Sequence, residues 1–276
     1  MPAMKASLKS GRTKKKTEKK IEKKTKRKTS VSIHPARAVH VWTADPEDVA
    51  EAQWPGLASS LDAGELSCAS RFAHQADARA YVLAHALRRL AVSAITGFLP
   101  AALVFASESS GQPVLVNAPA APKIWFSHAR RRSLVACAVT GLGPVGIDVE
   151  LVDARSADMG LLSKFMVLPD AQDCQAGPSG DQARQFFFYW TTLEAYWKSR
   201  GRGLSFSNPA ITCRENRSGW SDIMLSAGAD WLACGRAMPI ASPAGTAAAL
   251  VLDACCFQAG QADVDVIRHQ PAFLKR

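Results

Sequence analysis

The sequence predicts an α+β fold built from two α/β halves of related layout. Short apolar, β-branched runs read as strands. Two long stretches, Leu66–Thr96 and Asp181–Gly201, hold no proline and no internal glycine and space their apolar residues as helices do. The runs follow one another as strand, helix, strands, then strands, helix, strands. With 47% hydrophobic residues over 276 positions, the chain can bury a core of that size.

The first strand is "RAVHVWTADP", in which Val39 and Val41 alternate inward against His40 and Trp42 and Pro46 ends the run. Phe72, Tyr81, Leu83, Leu87 and Leu90 then mark one long helix or two, stopped at Gly97. "SSGQPVL" is a turn, and "KIWFSH" and "SLVACAVT" are short strands flanking the basic turn Ala129–Arg132. "GLGP" leads into "VGIDVEL", for which a hairpin is the economical reading. The second long helix starts at Asp181 and stops at Gly201, and strand-like runs follow near Ala210–Cys213, Trp231–Ala233 and Ala247–Leu252. The expected organisation is a disordered basic tail over 1–36, an N-terminal half over 37–145, a C-terminal half over 146–260 and an extension over 261–276.

The formal charge of +10 is concentrated at one end. Residues 1–36 hold 13 lysines and arginines against Glu18 and Glu22, whereas the rest of the chain carries 21 basic and 22 acidic groups. The tail has too few apolar residues to fold, and it reads as a solvated segment or, alternatively, as an arm for nucleic acid or an acidic protein. No apolar stretch reaches membrane-span length, and no apolar region follows the charges as in a signal peptide. Seven scattered cysteines without C-x-x-C spacing suit reduced thiols in a cytoplasmic protein. The length favours a monomer in which one chain supplies the whole site.

Chemistry concentrates in "PVGIDVELVD". Alternation along a strand puts Asp148 and Glu150 on one face and sends Ile147, Val149 and Leu151 to the core. Two adjacent carboxylates repel unless a cation lies between them, and hard oxygen donors at this spacing suit Mg²⁺. Alone, the pair fits a solvated strand face equally well. The helix "YWTTLEAYWKSRG" adds a third acid, because Trp190, Glu194 and Lys198 fall at i, i+4 and i+8 on one stripe. Phe186, Phe187, Tyr189, Leu193, Tyr196 and Trp197 make that helix largely buried, so its charges need partners.

"VGIDVE" followed by "YWTTLEAYWKSRGRGL", with 46 residues from Asp148 to Glu194, resembles the paired signature motifs of the Sfp-type 4′-phosphopantetheinyl transferases. "KIWFSHARRRSLVACA" is similar to that family's Ser-His segment, "SSGQPVL" to its G-x-K-P turn, and "SRFAHQADARAYVLAHALRRL" to its first helical region. The resemblance covers most of Arg37 to Leu252 and implies the family's fold, with the active site at the junction of the halves. It implies transfer of the 4′-phosphopantetheine arm of coenzyme A to a serine of an apo acyl or peptidyl carrier protein, with release of 3′,5′-ADP.

Carried over by position, Asp148, Glu150 and Glu194 would hold Mg²⁺. Glu194 would also take the serine proton, and Lys198 would meet the pyrophosphate. His128, beside Ser127, matches the position that contacts the 3′-phosphate of coenzyme A, with Gly111 and Pro113 shaping the loop around the nucleotide. Arg71 and Arg79 are further phosphate candidates, and Arg130, Arg131 and Arg132 would add positive field. The carrier would dock near the seam of the halves, on exposed apolar and basic groups around Phe165 to Leu168. Two family lysines are replaced, by Leu193 and Gln112, and Cys68 and Ala69 stand where relatives carry basic residues. Coenzyme A binding would then lean on Arg71 and the arginine turn. The rival readings are a nucleic-acid-binding protein acting through its tail and a non-catalytic relative that binds coenzyme A or carrier protein.

Overall fold

A computed structural model describes residues 38–108, 110–117, 123–167, 179–215, 219–257 and 264–274. The basic tail, Cys174 and Leu168 lie outside the described residues. Strand β1 (Ala38–Ala44) is followed by helices α1 (Trp54–Ala58), α2 (Ala63–Ala69) and α3 (Gln75–Thr96). A small hairpin, β2 (Phe105–Ser107) and β3 (Pro113–Leu115), leads to β4 (Trp125–Arg131), β5 (Leu134–Thr140) and β6 (Val145–Leu151). Helices α4 (Met159–Leu162) and α5 (Ser179–Ser199) precede β7 (Ile211–Glu215), β8 (Ser221–Ala227), β9 (Asp230–Pro239) and β10 (Thr246–Asp253). The last strand is β11 (Asp265–His269).

The strands form two main sheets, ordered β11-β1-β5-β4 and β6-β10-β9-β8-β7. Each contains the same unit: a strand, a long helix, and a returning strand antiparallel to the first. In one sheet this is β1, α3 and β5; in the other it is β6, α5 and β10. The expected α+β class with two related halves is what the chain forms. One apolar cluster joins Val39, Val41, Ala136 and Ala138 of the first sheet to Ile147, Val149, Leu250 and Leu252 of the second. Alternation then turns Val251, Ala237 and Ile223 to the opposite face, where Leu193, Tyr196 and Trp197 of α5 cover them. Helix α3 packs on β4 and β5.

Of the two readings of the helical region over 66–96, two helices is the one formed, because Ser70–His74 break it; α3 ends as expected on Gly97, whose φ of +75° is the left-handed region glycine tolerates. Other elements differ from expectation. The expected hairpin between "SLVACAVT" and "VGIDVEL" does not form. Both edges of β5 are taken, by β1 and β4, so β6 passes into the second sheet and pairs with β10. His40 and Trp42, expected outward, are buried: β11 adds to β1 in parallel and lays His269 on Trp42 with ring centroids 4.4 Å apart. Leu151, expected in the core, is largely exposed at the end of β6.

The α2–α3 junction is held by a buried ionic network. Asp62 and Glu65 form a reciprocal capping box at the start of α2, with Glu65 N–H to Asp62 Oδ1 at 2.8 Å and Asp62 N–H to Glu65 Oε2 at 2.9 Å. The same Glu65 carboxylate accepts from Arg89 Nε at 2.9 Å, pairs with Arg88, and meets His85 Nδ1 at 2.9 Å. Burial alone would raise the Glu65 pKa, but His85, the Asp62 backbone, Arg89 and Arg88 outweigh it and hold the group down at about 2, from 4.5. A depressed carboxylate stabilises the fold above its unfolded pKa, an effect on the order of 3 kcal/mol at neutral pH. That stability is expected to disappear as pH falls from about 4.5 toward about 2. Thermal melts across this range should show a steep loss for the native chain and a flatter one for Glu65→Gln; parallel curves would contradict the assignment.

Candidate active site

The site forms where α5 crosses β6. Gly146 makes this possible: a Cβ there would lie 1.8 Å from the carbonyl oxygen of Ala195 and 3.0 Å from the backbone nitrogen of Ser199. Only a residue without a side chain lets the helix backbone rest on the strand backbone. The close approach sets Lys198 Nζ 2.5 Å from Asp148 Oδ1. Tyr196, Trp197 and Leu193 fix the helix rotation by burying the adjoining stripe, which leaves Trp190, Glu194 and Lys198 half-buried in one line. The helix ends in a Schellman turn: Gly201, at φ +66°, donates to Lys198 O at 3.0 Å, and Arg202 donates to Trp197 O at 2.9 Å.

Asp148 is buried, and its Oδ2 has no hydrogen-bond partner among the described residues. Burial raises the pKa of Asp148, opposed by Lys198 and reinforced by the neighbouring Glu150 charge. Burial likewise raises Glu194, and the Asp148 charge adds to it. Glu150 shares the face with Asp148 but is held by Arg131 of β4, whose Nε donates to Oε2 at 2.7 Å and whose Nη2 pairs with Oε1. The three acids therefore share one electrostatic neighbourhood, and Lys198 and Arg131 neutralise two of them. Among the described residues no three His, Cys, Asp or Glu side chains are gathered into a metal-binding cluster. The donors nevertheless suit a hard divalent ion: they are all carboxylate oxygens, one is a buried oxygen without a partner, and two are carboxyl groups that burial and mutual repulsion keep reluctant to ionise.

Beside this crossing lies a cavity of about 250 Å³ lined by Gly111, Pro113, Ser127, His128, Lys198 and the 201–203 turn. A second of about 440 Å³ shares Gln112, Pro113 and Phe126 with it and extends to Lys123, Trp125 and Arg200. Gly111 takes φ +84° at the loop tip. Ser127 has an additional role at the seam of the two sheets, where its Oγ accepts from Ile147 N–H at 3.2 Å. His128 faces α3, with His85 edge-on at 5.4 Å. Burial, with the charges of Arg88, His85, Lys198 and Arg130, pushes its imidazole well below the usual histidine value, so it is neutral at pH 7.

The remaining candidates are placed elsewhere. Arg71 is exposed and donates to Cys68 Sγ at 3.0 Å, and Arg79 pairs with Glu51 at 2.6 Å. The arginine turn divides three ways: Arg130 lies over Phe72 and Tyr81, Arg131 binds Glu150, and Arg132 grips Asp77 with two contacts of 2.7 Å. None of these five arginines lines either cavity. Leu193 is fully buried against the second sheet, and Gln112 donates to Lys198 O at 3.4 Å, tying the turn to the end of α5. Phe165 and Met166 are buried rather than exposed; the apolar surface there is Val167 and Phe206, which is 74% exposed and stacked on Phe165 with centroids 4.8 Å apart.

The model of the 4′-phosphopantetheinyl transferase superfamily matches residues 144–235, which span β6, α5, β7, β8 and the first part of β9. The 4′-phosphopantetheinyl transferase HetI of Nostoc is 30% identical over 167 residues, covering 60% of this chain and 70% of its own. The chain belongs to the 4′-phosphopantetheinyl transferase superfamily. It is a transferase of that class. The 4′-phosphopantetheinyl transferase psf-1 of Bacillus pumilus is 28% identical over 159 residues, 58% of this chain and 66% of its own. A fungal relative, the L-aminoadipate-semialdehyde dehydrogenase-phosphopantetheinyl transferase of Eremothecium gossypii, is 34% identical over 133 residues, 46% of this chain and 47% of its own. No helix among the described residues of this transferase is long and apolar enough to cross a membrane.

Sequence reasoning missed Gly146, the pairing of Arg131 with Glu150, and the His85–Arg88 group around His128. A glycine inside a β-branched strand was the available signal for the first, since it marks close backbone approach. For the others no signal exists in a single sequence. Replacing Gly146 with alanine should cost about 3 kcal/mol or more, because the new Cβ meets helix backbone that cannot rotate away. Denaturant unfolding of Gly146→Ala checks this, and stability equal to that of the native chain would mean that α5 does not seat on β6 as described.

Proposed function

We propose that the protein transfers the 4′-phosphopantetheine arm of coenzyme A to a serine of an apo acyl or peptidyl carrier protein, in a Mg²⁺-dependent reaction that releases 3′,5′-ADP. The observation that carries the reading is the crossing of α5 on β6, which sets Lys198 against Asp148 and puts Glu194 in the field of both strand acids. Asp148, Glu150 and Glu194 would hold the metal, which when bound neutralises the pyrophosphate as charge shifts to the leaving group. Lys198 lines the smaller cavity, which supports a role for its ammonium toward a leaving phosphate oxygen. The two adjoining cavities suit the nucleotide, with His128 as a neutral donor toward the 3′-phosphate.

The bond that forms joins the carrier's serine Oγ to the phosphorus bearing pantetheine, and the bond that breaks is the phosphoanhydride. Glu194 takes the serine proton: its raised pKa makes it a better base than an ordinary carboxylate. The negative charge departs with 3′,5′-ADP. The exposed Phe206 follows directly from the 201–203 turn at the cavity and offers the carrier an apolar foothold.

Incubation with coenzyme A, Mg²⁺ and a panel of apo carriers, read by mass spectrometry, tests the assignment. Asp148→Ala and Glu194→Ala should each lose labelling by about 10²-fold or more while melting as folded proteins. Native labelling rates in folded Asp148→Ala protein would remove the metal role. Phe206→Ala should raise KM for the carrier and leave KM for coenzyme A unchanged, and an unchanged carrier KM would move the docking surface elsewhere.

A further inference from the structure

We propose that Arg131 is an internal competitor for the metal: its guanidinium occupies Glu150 in the free enzyme and must be released before Glu150 becomes a ligand. The proposal rests on the reading of Asp148, Glu150 and Glu194 as the metal donors. Arg131 belongs to β4 of the first sheet, and its partner belongs to β6 of the second, so this ion pair crosses the seam beside the site. The contact is a fork, with Nε on one carboxylate oxygen and Nη2 on the other. Such a pair is the strongest form of arginine–carboxylate recognition and engages both oxygens a metal would use.

Its two members differ in freedom. The Arg131 side chain is 45% exposed and that of Glu150 is 13% exposed. The guanidinium is therefore the partner that can withdraw into water, whereas the carboxylate stays at the site. The only other hydrogen bond described for the Arg131 side chain is a long one, from Nη1 to the Arg130 carbonyl at 3.4 Å. The neighbouring arginines anchor the hairpin without it, Arg130 over the rings of Phe72 and Tyr81 and Arg132 on Asp77. Lys198 neutralises Asp148 in a similar way, but it also lines the cavity and has a role toward the substrate's phosphates. Arg131 lines neither cavity. A guanidinium and a divalent cation cannot share one carboxylate without repelling each other, so removing Arg131 should release Glu150 to the metal.

Titration of the native chain, Arg131→Ala, Glu150→Ala and the double variant with Mn²⁺ tests this, read by calorimetry and by the paramagnetic resonance signal of free Mn²⁺. Arg131→Ala should bind Mn²⁺ roughly threefold or more tightly, the range expected for releasing a partly exposed ion pair. With Glu150 already replaced by alanine, removing Arg131 should change affinity by less than about twofold, since the competition runs through that carboxylate. Unchanged or weaker binding by Arg131→Ala would make Arg131 an anchor for Glu150 and overturn the proposal. A gain that persists undiminished without Glu150 would also overturn it, as a general effect of charge. Arg131→Gln, which keeps the stem and loses the charge, gives the same comparison if the alanine variant melts early. Failure of the native chain to bind Mn²⁺, with and without coenzyme A, would instead remove the metal reading itself.

Discussion

Helix α5 lies directly on the backbone of β6, and the site depends on that contact. At Gly146 the helix comes so close that any side chain would enter the Ala195 carbonyl. One turn of helix later, the same approach places Lys198 on Asp148. Had the strand carried alanine there, the helix would stand further off and the lysine and the acids would no longer meet. The apolar stripe of Leu193, Tyr196 and Trp197 makes the seat rotationally unique, because it fits only the face of the second sheet lined by Ile223, Ala237 and Val251. The packing that stabilises the second half therefore also aligns its charges.

The alignment puts like charges together out of water. Asp148 and Glu194 are both raised by burial; the Glu150 charge adds to the reluctance of Asp148 to ionise, and the Asp148 charge to that of Glu194. The fold compensates with two cations drawn from different elements, Lys198 from α5 and Arg131 from β4. Both carboxylates of β6 are thereby neutralised in the free protein. The pairing matters to the fold itself, since unpaired buried charges would destabilise the seam between the sheets.

The two long helices, the acids of β6 and the stripe of α5 were legible in the sequence because each depends on local periodicity. So was Gly201, which stops α5 with a left-handed turn. Non-local pairing was not legible. The linker between β5 and β6 reads as a hairpin until β1 and β4 are seen to occupy both edges of β5. The burial of His40 and Trp42 follows from a strand more than 200 residues away, β11, which no alternation near residue 40 announces. At the site, the residue types were evident and their partners were not. The three successive arginines read as one basic turn, whereas strand alternation and a two-residue hairpin loop send them to three different partners. Gln112 and Leu193, which read as lost cations, hold the turn and the core instead.

The most direct test of the central claim is a crystal structure with coenzyme A and Mn²⁺, in which anomalous scattering locates the metal. The account predicts one peak within ligand distance of both Asp148 and Glu194, next to the pyrophosphate, with Lys198 moved from Asp148 to a phosphate oxygen. A coenzyme bound in the adjoining cavities with its metal remote from Asp148, and the Lys198–Asp148 pair still intact, would contradict it.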